Sequence, residues 1–339
     1  MAERGRAIGF DHLGVAAATP PPEVARFDAW VARGYHAGMD YLVRSAAERR
    51  DPSLLLRDAR SILVGAVRYV AGPAEPASPL SGEVAGYARG GDYHLRVGAM
   101  GSELATYLRT RFDARAAEYV DTGAILERLW AAHAGVGWIG KNALVLNRES
   151  GSYFFLAVVV TDLELPPDAP ALDECGQCTL CIEACPTGAI VEPKVVDSRL
   201  CLSYHTIELR GEFPREHREA AGAHLFGCDE CQTACPWNRA GAAPAAPGEE
   251  GDAGARLDLV SVLSMTLAEY TERFRGSAMK RATYHGLRRN AAINLGNALR
   301  APGGRSAADP GALAALTRAA ADPEPTVAEA ASWALAAIA

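Results

Sequence analysis

Eight cysteines carry the most specific chemistry in this sequence. Cys175, Cys178, Cys181 and Cys185 stand within eleven residues, and Pro186 follows the last of them. Thiolates at i, i+3 and i+6 can wrap one corner of a cubane, because a tight turn aims them at neighbouring irons. The whole run reads C-x2-C-x2-C-x3-C-P, whose fourth cysteine reaches the other cluster in two-cluster ferredoxins. A second run, Cys228, Cys231 and Cys235-Pro236, lacks one member, and Cys201 between the runs can supply it. The assignment that uses each cysteine once gives Cys175, Cys178, Cys181 and Cys235 to one [4Fe–4S] cluster. The other takes Cys185, Cys201, Cys228 and Cys231. Paired C-x2-C sequences also hold structural zinc, but the third cysteine at i+6 and the two Cys-Pro endings fit zinc poorly. One-electron transfer is the expected chemistry.

Three stretches before the cysteines hold further reactive side chains. YARGGDYH (87–94) ends in Asp92, Tyr93 and His94. VDTGAILER (120–128) places Asp121 where an expected strand ends and a helix begins. GWIGKNALVLN (137–147) joins a Gly-rich turn to Lys141 and Asn142. Each has an ordinary structural reading. An Asp before a helix is most often an N-cap, a Lys after glycine is usually solvated, and Tyr-His is commonly surface decoration.

The elements that must position these residues are legible from periodicity. EVARFDAWVAR (23–33) spaces Val24, Phe27, Trp30 and Val31 as an amphipathic helix, and SILVGAVRYV (61–70) suits a buried strand. A Pro/Gly-rich loop (72–82) precedes a helical period over 95–112. EYV (118–120) leads as a short strand into DTG, and AILERLWAAHAG forms the next helix, closed by Gly135. NALVLN and SYFFLAVVVTDL, flanking RESG, predict a β-hairpin over 143–163. The expected class is α+β and multidomain. It comprises a mixed α/β catalytic domain (1–165), a ferredoxin-like two-cluster domain (166–239), a flexible low-complexity linker (240–256) and a helical domain (257–339). In the last, DPEPTVAEAASWAL resembles half of a HEAT repeat.

Composition narrows the setting. A formal charge of −7 over 339 residues creates no global basic field for nucleic acid or anionic membrane. No apolar run reaches the roughly 18 residues of a membrane span. Arg4 and Arg6 are followed by Asp11 and His12, with no twin-arginine pair. A cytoplasmic protein without a membrane partner is expected, and in that reducing compartment clustered cysteines read as metal ligands.

In one register the chain carries HAGMDYLVR, YARGGDYH, VDTGAILER, GWIGKNALVLNRESGSYFFL, CGQCTLCIEACPTGAIVEP, CLSYHTIEL and FGCDECQTACPWN. This order resembles the epoxyqueuosine reductase family over roughly residues 10–240, and again in SAMKRATYHGLRRNAAINLGNAL. The resemblance implies base-off cob(II)alamin, two [4Fe–4S] clusters, an external low-potential electron donor, a monomer, and a tRNA whose modified wobble base carries an epoxide. The family's proton donor falls on Asp121, although members usually have proline where this chain has Ala124. Cobalamin contacts fall on Arg44, Asp121, the Lys141–Val145 strand including Asn142, Leu156, Ser203 and Asp229. Asp121 needs a raised pKa to be protonated near neutrality, and desolvation against the corrin could supply it. Asp92-x-His94 with Gly98 misses a lower-ligand D-x-H-x-x-G signature by one residue, in keeping with a cobalt that takes no protein histidine.

Residues 271–300 contain seven Lys/Arg against one Glu. Lys280, Arg281, Arg288 and Arg289 are therefore expected to face the tRNA backbone, where phosphate contacts set affinity and salt dependence. Two other readings compete. A corrinoid reductive dehalogenase-like reductase shares the cofactor plan but is typically exported by a twin-arginine signal. An electron-carrier subunit would carry the clusters and bind no corrinoid.

Overall fold

The computed structural model describes residues 1–69, 78–238, 254–301 and 309–338. The N-terminal part runs through α1 (Ala2–Ile8), β1 (His12–Ala17), α2 (Val24–Ala32), α3 (Asp40–Arg44), α4 (Ala46–Arg50), β2 (Ser61–Arg68) and β3 (Ser81–Val84). It continues with α5 (Tyr93–Phe112), β4 (Ala116–Tyr119), α6 (Glu127–His133), β5 (Trp138–Ile139), β6 (Val145–Leu146) and β7 (Phe154–Thr161). Four of these strands form an antiparallel sheet in the order β1-β2-β7-β4. Because strand side chains alternate, Leu63 and Val67 of β2 meet Leu104, Ala105 and Leu108 of α5 on one face. Ile62, Val64 and Ala66 meet Trp130 and Ala131 of α6 on the other. A helix thus covers each face, which explains why β2 reads as one apolar run rather than an alternation. Gly14 belongs to this packing: a Cβ there would lie 1.9 Å from the Ala134 carbonyl oxygen.

The expected hairpin over 143–163 is not formed. β6 pairs with β5, through Trp138 opposite Leu146, and RESG leaves only an Asn147–Gly151 bridge. β7 is apolar on both faces, so burial places it inside the sheet between β2 and β4, and not beside a two-residue neighbour. For the same reason Lys141–Val145 is mostly a turn, with Ala143 at φ 62°, and only Val145 enters a strand.

The second half contains α7 (Leu180–Glu183), β8 (Ile190–Glu192), β9 (Val195–Val196), a π-helical turn at Tyr204–Glu208, β10 (His224–Phe226) and α8 (Glu230–Thr233). After these come β11 (Arg256–Asp258), α9 (Leu259–Ser264), α10 (Leu267–Arg273), α11 (Tyr284–Arg300), α12 (Pro310–Ala319) and α13 (Pro325–Ile338). Packing does not follow the sequence boundaries. β3 lies parallel to β10 and antiparallel to β11. Leu80, Val84 and Ala88 share one core with Leu202, Phe213 and Phe226 and with Leu287, Ile293 and Leu295 of α11. The expected linker lies outside the described residues over 240–253, while Arg256 already belongs to β11. The 72–82 loop likewise lies outside them as far as residue 77, and Ser81 and Gly82 are strand.

Two cations expected on the RNA backbone are structural. Arg289 is 1% exposed. Its guanidinium donates to the carbonyls of Leu209 (3.0 Å), Gly211 (2.6 Å) and His205 (2.6 Å). Burial, and then the charges of Arg210 and Arg218, lower its pKa to about 10. Arg288 donates to the Leu263 carbonyl and pairs with Asp322 at 2.6 Å, with both side chains 11% exposed. The helical spacing that groups four cations in sequence turns these two into the interior. Arg289→Ala should therefore act on stability. Stranding even one of its buried acceptors costs about 1–3 kcal/mol, so melting temperature should fall while the salt slope of tRNA binding stays unchanged. A flattened slope at unaltered melting temperature would return Arg289 to the RNA surface.

Candidate functional site

The two cysteine runs each make a tight loop and one helical turn, α7 after Cys178 and α8 after Cys228, and these turns touch. All eight cysteines are free thiols, and among the described residues no His, Cys, Asp and Glu side chains close around a single-ion site. They fall instead into two electrostatic sets. Burial, then the charges of Cys235, Cys175 and Cys178, push the Cys181 thiol up. Burial, then Cys228, Cys201 and Cys185, push the Cys231 thiol up. The donor chemistry of four thiols per set fits two cubane clusters.

Each set has its own wall. Cys235 and Cys175 lie against Trp138, Leu146 and Trp237, with the two indoles edge to face at 5.1 Å. Lys141 closes this side by donating from Nζ to the carbonyls of Gly176 and Cys178, both at 2.8 Å. In the second set, Cys185 Sγ accepts the Ala189 N–H at 3.2 Å. His224 Nε2 stands 3.9 Å from Cys228 Sγ. Cys201 precedes the π-helical turn, and Arg289 holds the His205 carbonyl within that turn and the Leu209 and Gly211 carbonyls after it. Asn142, 4% exposed, donates to the Cys231 carbonyl at 3.4 Å, and Ser203 Oγ donates to the Cys228 carbonyl at 3.4 Å. Asp229 accepts the Gly86 N–H at 2.7 Å, and burial raises its pKa. Three of the expected cobalamin contacts thus gather at the second cysteine set. Lys141 belongs to the first, Val145 is buried in the sheet core on the α6 side, Leu156 packs partly into the same core, and Arg44 is exposed on α3.

Asp121 follows β4 in a left-handed conformation (φ 55°) and caps no helix; α6 begins six residues later. Its Oδ2 lies 3.3 Å from His94 Nε2. The other ring nitrogen, Nδ1, lies 2.7 Å from Asp92, whose carboxylate also caps α5. Both nitrogens of His94 are therefore committed to carboxylates, which leaves none for a metal. Tyr93 stacks on Phe155 at 4.2 Å and places its ring beside the pair. Burial pushes the Asp121 carboxyl up, but His94, and then Tyr93 and Arg128, outweigh it and the net shift is downward. In the protein alone the histidine contact outweighs burial, and the side chain is 60% exposed. His94 shifts upward, through its bond to Asp121 first.

Glu127 is the residue that sequence reading passed over. Its Oε1 accepts the Asp121 N–H at 2.5 Å. Burial, and then the charge of Asp121, push its carboxyl up to about 8. It lies within the quoted VDTGAILER motif, so the signal was a second carboxylate at i+6. Tyr87 connects the two halves of the site, since its buried phenol is raised first by burial and then by the charges of Asp121, Asp229 and Glu208. Arg281 pairs with Glu208 at 2.7 Å and lies over the Tyr41 ring at 5.5 Å, and Asp121 also raises its pKa. It therefore faces this site, while Lys280 is exposed beside it. A separate cavity of about 460 Å³, lined by Arg6, Asp11, His12 and Asp168, shares no residue with either cysteine set or with the surroundings of Asp121.

Removing the outlying thiol tests the grouping. Cys201→Ala leaves every thiol of the first set in place, so iron per chain should fall toward half and turnover should be lost. Full iron with normal turnover would overturn the pairing of Cys201 with Cys185, Cys228 and Cys231.

Comparison with known proteins agrees with this arrangement. Residues 174–238 match a 4Fe-4S double cluster binding domain, and residues 49–122 match a family described as Epoxyqueuosine reductase QueG, DUF1730. An epoxyqueuosine reductase of Pseudomonas aeruginosa is 38% identical, over 87% of this chain and 83% of its own length. That of Shewanella oneidensis is 36% identical, over 98% and 86%. A crystal structure of an epoxyqueuosine reductase with an epoxyqueuosine-modified tRNA stem loop superposes with a TM-score of 0.89 at 31% identity. It covers 99% of this chain and 88% of that one. The chain belongs to the epoxyqueuosine reductase family.

Proposed function

We propose that this oxidoreductase converts epoxyqueuosine to queuosine in tRNA with Asp121 and His94 as its proton-donating pair. The reaction takes two electrons and two protons and releases the epoxide oxygen as water, leaving an alkene. Opening the ring puts negative charge on that oxygen, so an acid within hydrogen-bond reach is required. The observation that carries the reading is the Asp121–His94 contact at 3.3 Å, on the loop side of a phenol that also senses Asp229 beside the second cysteine set. With Asp121 shifted down and His94 up, the proton of the pair is favoured on the imidazole side. Asp121, the more exposed of the two, passes that proton to the substrate.

The clusters would relay single electrons, and cobalamin would supply a strongly reducing, nucleophilic metal centre where the epoxide is opened. We assign cluster one to Cys175, Cys178, Cys181 and Cys235, and cluster two to Cys185, Cys201, Cys228 and Cys231. Arg44, Asn142, Val145, Leu156, Ser203 and Asp229, with Asp121, would hold the corrinoid. His94 would stand beside this set with both ring nitrogens turned to the carboxylates of Asp92 and Asp121. Lys141 fits less well, since its Nζ is taken by two loop carbonyls. The electron donor is external. Helices α11–α13 are read as a HEAT-like scaffold, and Lys280 and Arg281 remain the cations offered to tRNA. A Bacillus subtilis epoxyqueuosine reductase has been seen with its catalytic-aspartate loop swung out of the active site. The Asp121 loop of this chain is read as the counterpart.

Asp121→Asn keeps shape and hydrogen-bonding reach but removes the acid. Queuosine formation on tRNA should fall by roughly 10²–10⁴-fold at normal iron and corrinoid content. The pH profile gives a second readout. Because Asp121 raises His94, the proton is present at low pH and activity falls as pH rises through the raised imidazole pKa. In Asp121→Asn that alkaline limb should move to lower pH, toward about 6.5. Near-normal turnover with an unmoved limb would remove both residues from the chemistry.

A further inference from the structure

The loop that carries Asp121 is held from two sides. It runs from Val120 to Leu126, between β4 and α6. At its base, buried Arg49 donates to the Ile125 carbonyl at 3.1 Å and is itself held by Ser45 Oγ at 3.0 Å. At its tip the Asp121 N–H has one acceptor, Glu127 Oε1, at 2.5 Å. Asp121 adopts a left-handed conformation that most residues with a Cβ avoid, and a partner that holds it there favours it over the alternatives. Glu127 is suited to this because it stands in the first turn of α6, whose Leu129, Trp130 and Ala131 are buried in the sheet core. A rigid helix thus fixes a strained loop through one side chain.

We propose that Glu127 is a positioning residue that latches the Asp121 loop in its working conformation, through the bond from the Asp121 N–H to Glu127 Oε1. It touches no reacting atom and acts through Asp121. Without the latch the left-handed residue relaxes, and its carboxylate leaves His94. This inference rests on the reading of Asp121 as proton donor.

The test uses the cofactor-loaded enzyme and epoxyqueuosine-bearing tRNA, with Glu127 variants made in both the native and the Asp121→Asn backgrounds. Glu127→Ala should lower kcat about 10-fold, the worth of one neutral hydrogen bond, with KM for tRNA and iron per chain unchanged. Glu127→Gln keeps a carbonyl acceptor at Oε1 and should recover most of the loss. Glu127→Asp keeps a carboxyl group but is one methylene short, so it should resemble Ala. Amide hydrogen exchange over 120–126 should quicken in the Ala and Asp variants only. In the Asp121→Asn background Glu127→Ala should cost nothing further, since both changes disable the same donor. If Glu127→Ala fails to fold, the Asp variant, which retains a carboxyl group, carries the comparison. Equal losses from Glu127→Ala in both backgrounds, or native exchange and kcat in Glu127→Asp, would overturn the latch while leaving Asp121 as donor. An Asp121→Asn enzyme with native kcat would sink both ideas.

Discussion

One pair of adjacent side chains on α11 holds the electron-transfer part of the molecule together. Arg289 binds the carbonyls that follow Cys201, and Asn290 donates to Thr206 and Leu225 at 2.8 and 3.0 Å. The thiols of the second set come from three places in the chain, at Cys185, Cys201 and the Cys228–Cys231 loop. Without a common support they would drift independently. A buried cation surrounded by carbonyls is well suited to this, because removing it strands several acceptors at once. Arg218 repeats the device nearby: it is fully buried, donates to the Phe213 carbonyl and pairs with Glu329 of α13 at 2.5 Å. The helical region is thus the frame of the second cysteine set, which is why the basic residues of α11 are spent inward.

The same logic of shared support extends to the proton-handling side. Three carboxyl groups in one region behave differently for local reasons. Asp121 faces an imidazole and is held down, Glu127 is half-buried beside Asp121 and is pushed up to about 8, and Asp229 is raised by burial beside the Cys228 loop. Two carboxyls as near as Asp121 and Glu127 do not ionise with equal ease, so one charge at the site is favoured over two. β3 is what allows the two sides to meet. It leaves the N-terminal half to join β10 and β11, and the segment after it brings the Gly86 N–H to Asp229 and the Tyr87 ring to Tyr93 and Phe226.

How much of this was readable in advance depended on the range of the interaction. The cysteine runs are local: C-x2-C-x2-C-x3-C-P constrains its own turn, so a two-cluster domain could be read from spacing, and residues 174–238 match a 4Fe-4S double cluster binding domain. Buried β2, amphipathic α2 and the helix capped by Asp92 were equally legible, since each signal lies within a few residues. The β-hairpin failed because β7 had to be interior, and its partners are about ninety and forty residues away in sequence. Arg288 and Arg289 misled because charge reads as exposure until the carbonyls that bury it are known. The direction of the Asp121 shift needed His94, twenty-seven residues upstream, and Glu127 needed the left-handed turn that aims the Asp121 N–H at it. The residue types and spacings alone thus determined that this chain carries two clusters. Which cations are structural, and which of the carboxyls keeps its proton, was decided by tertiary structure, because charge and hydrogen-bond energies depend on what lies across space.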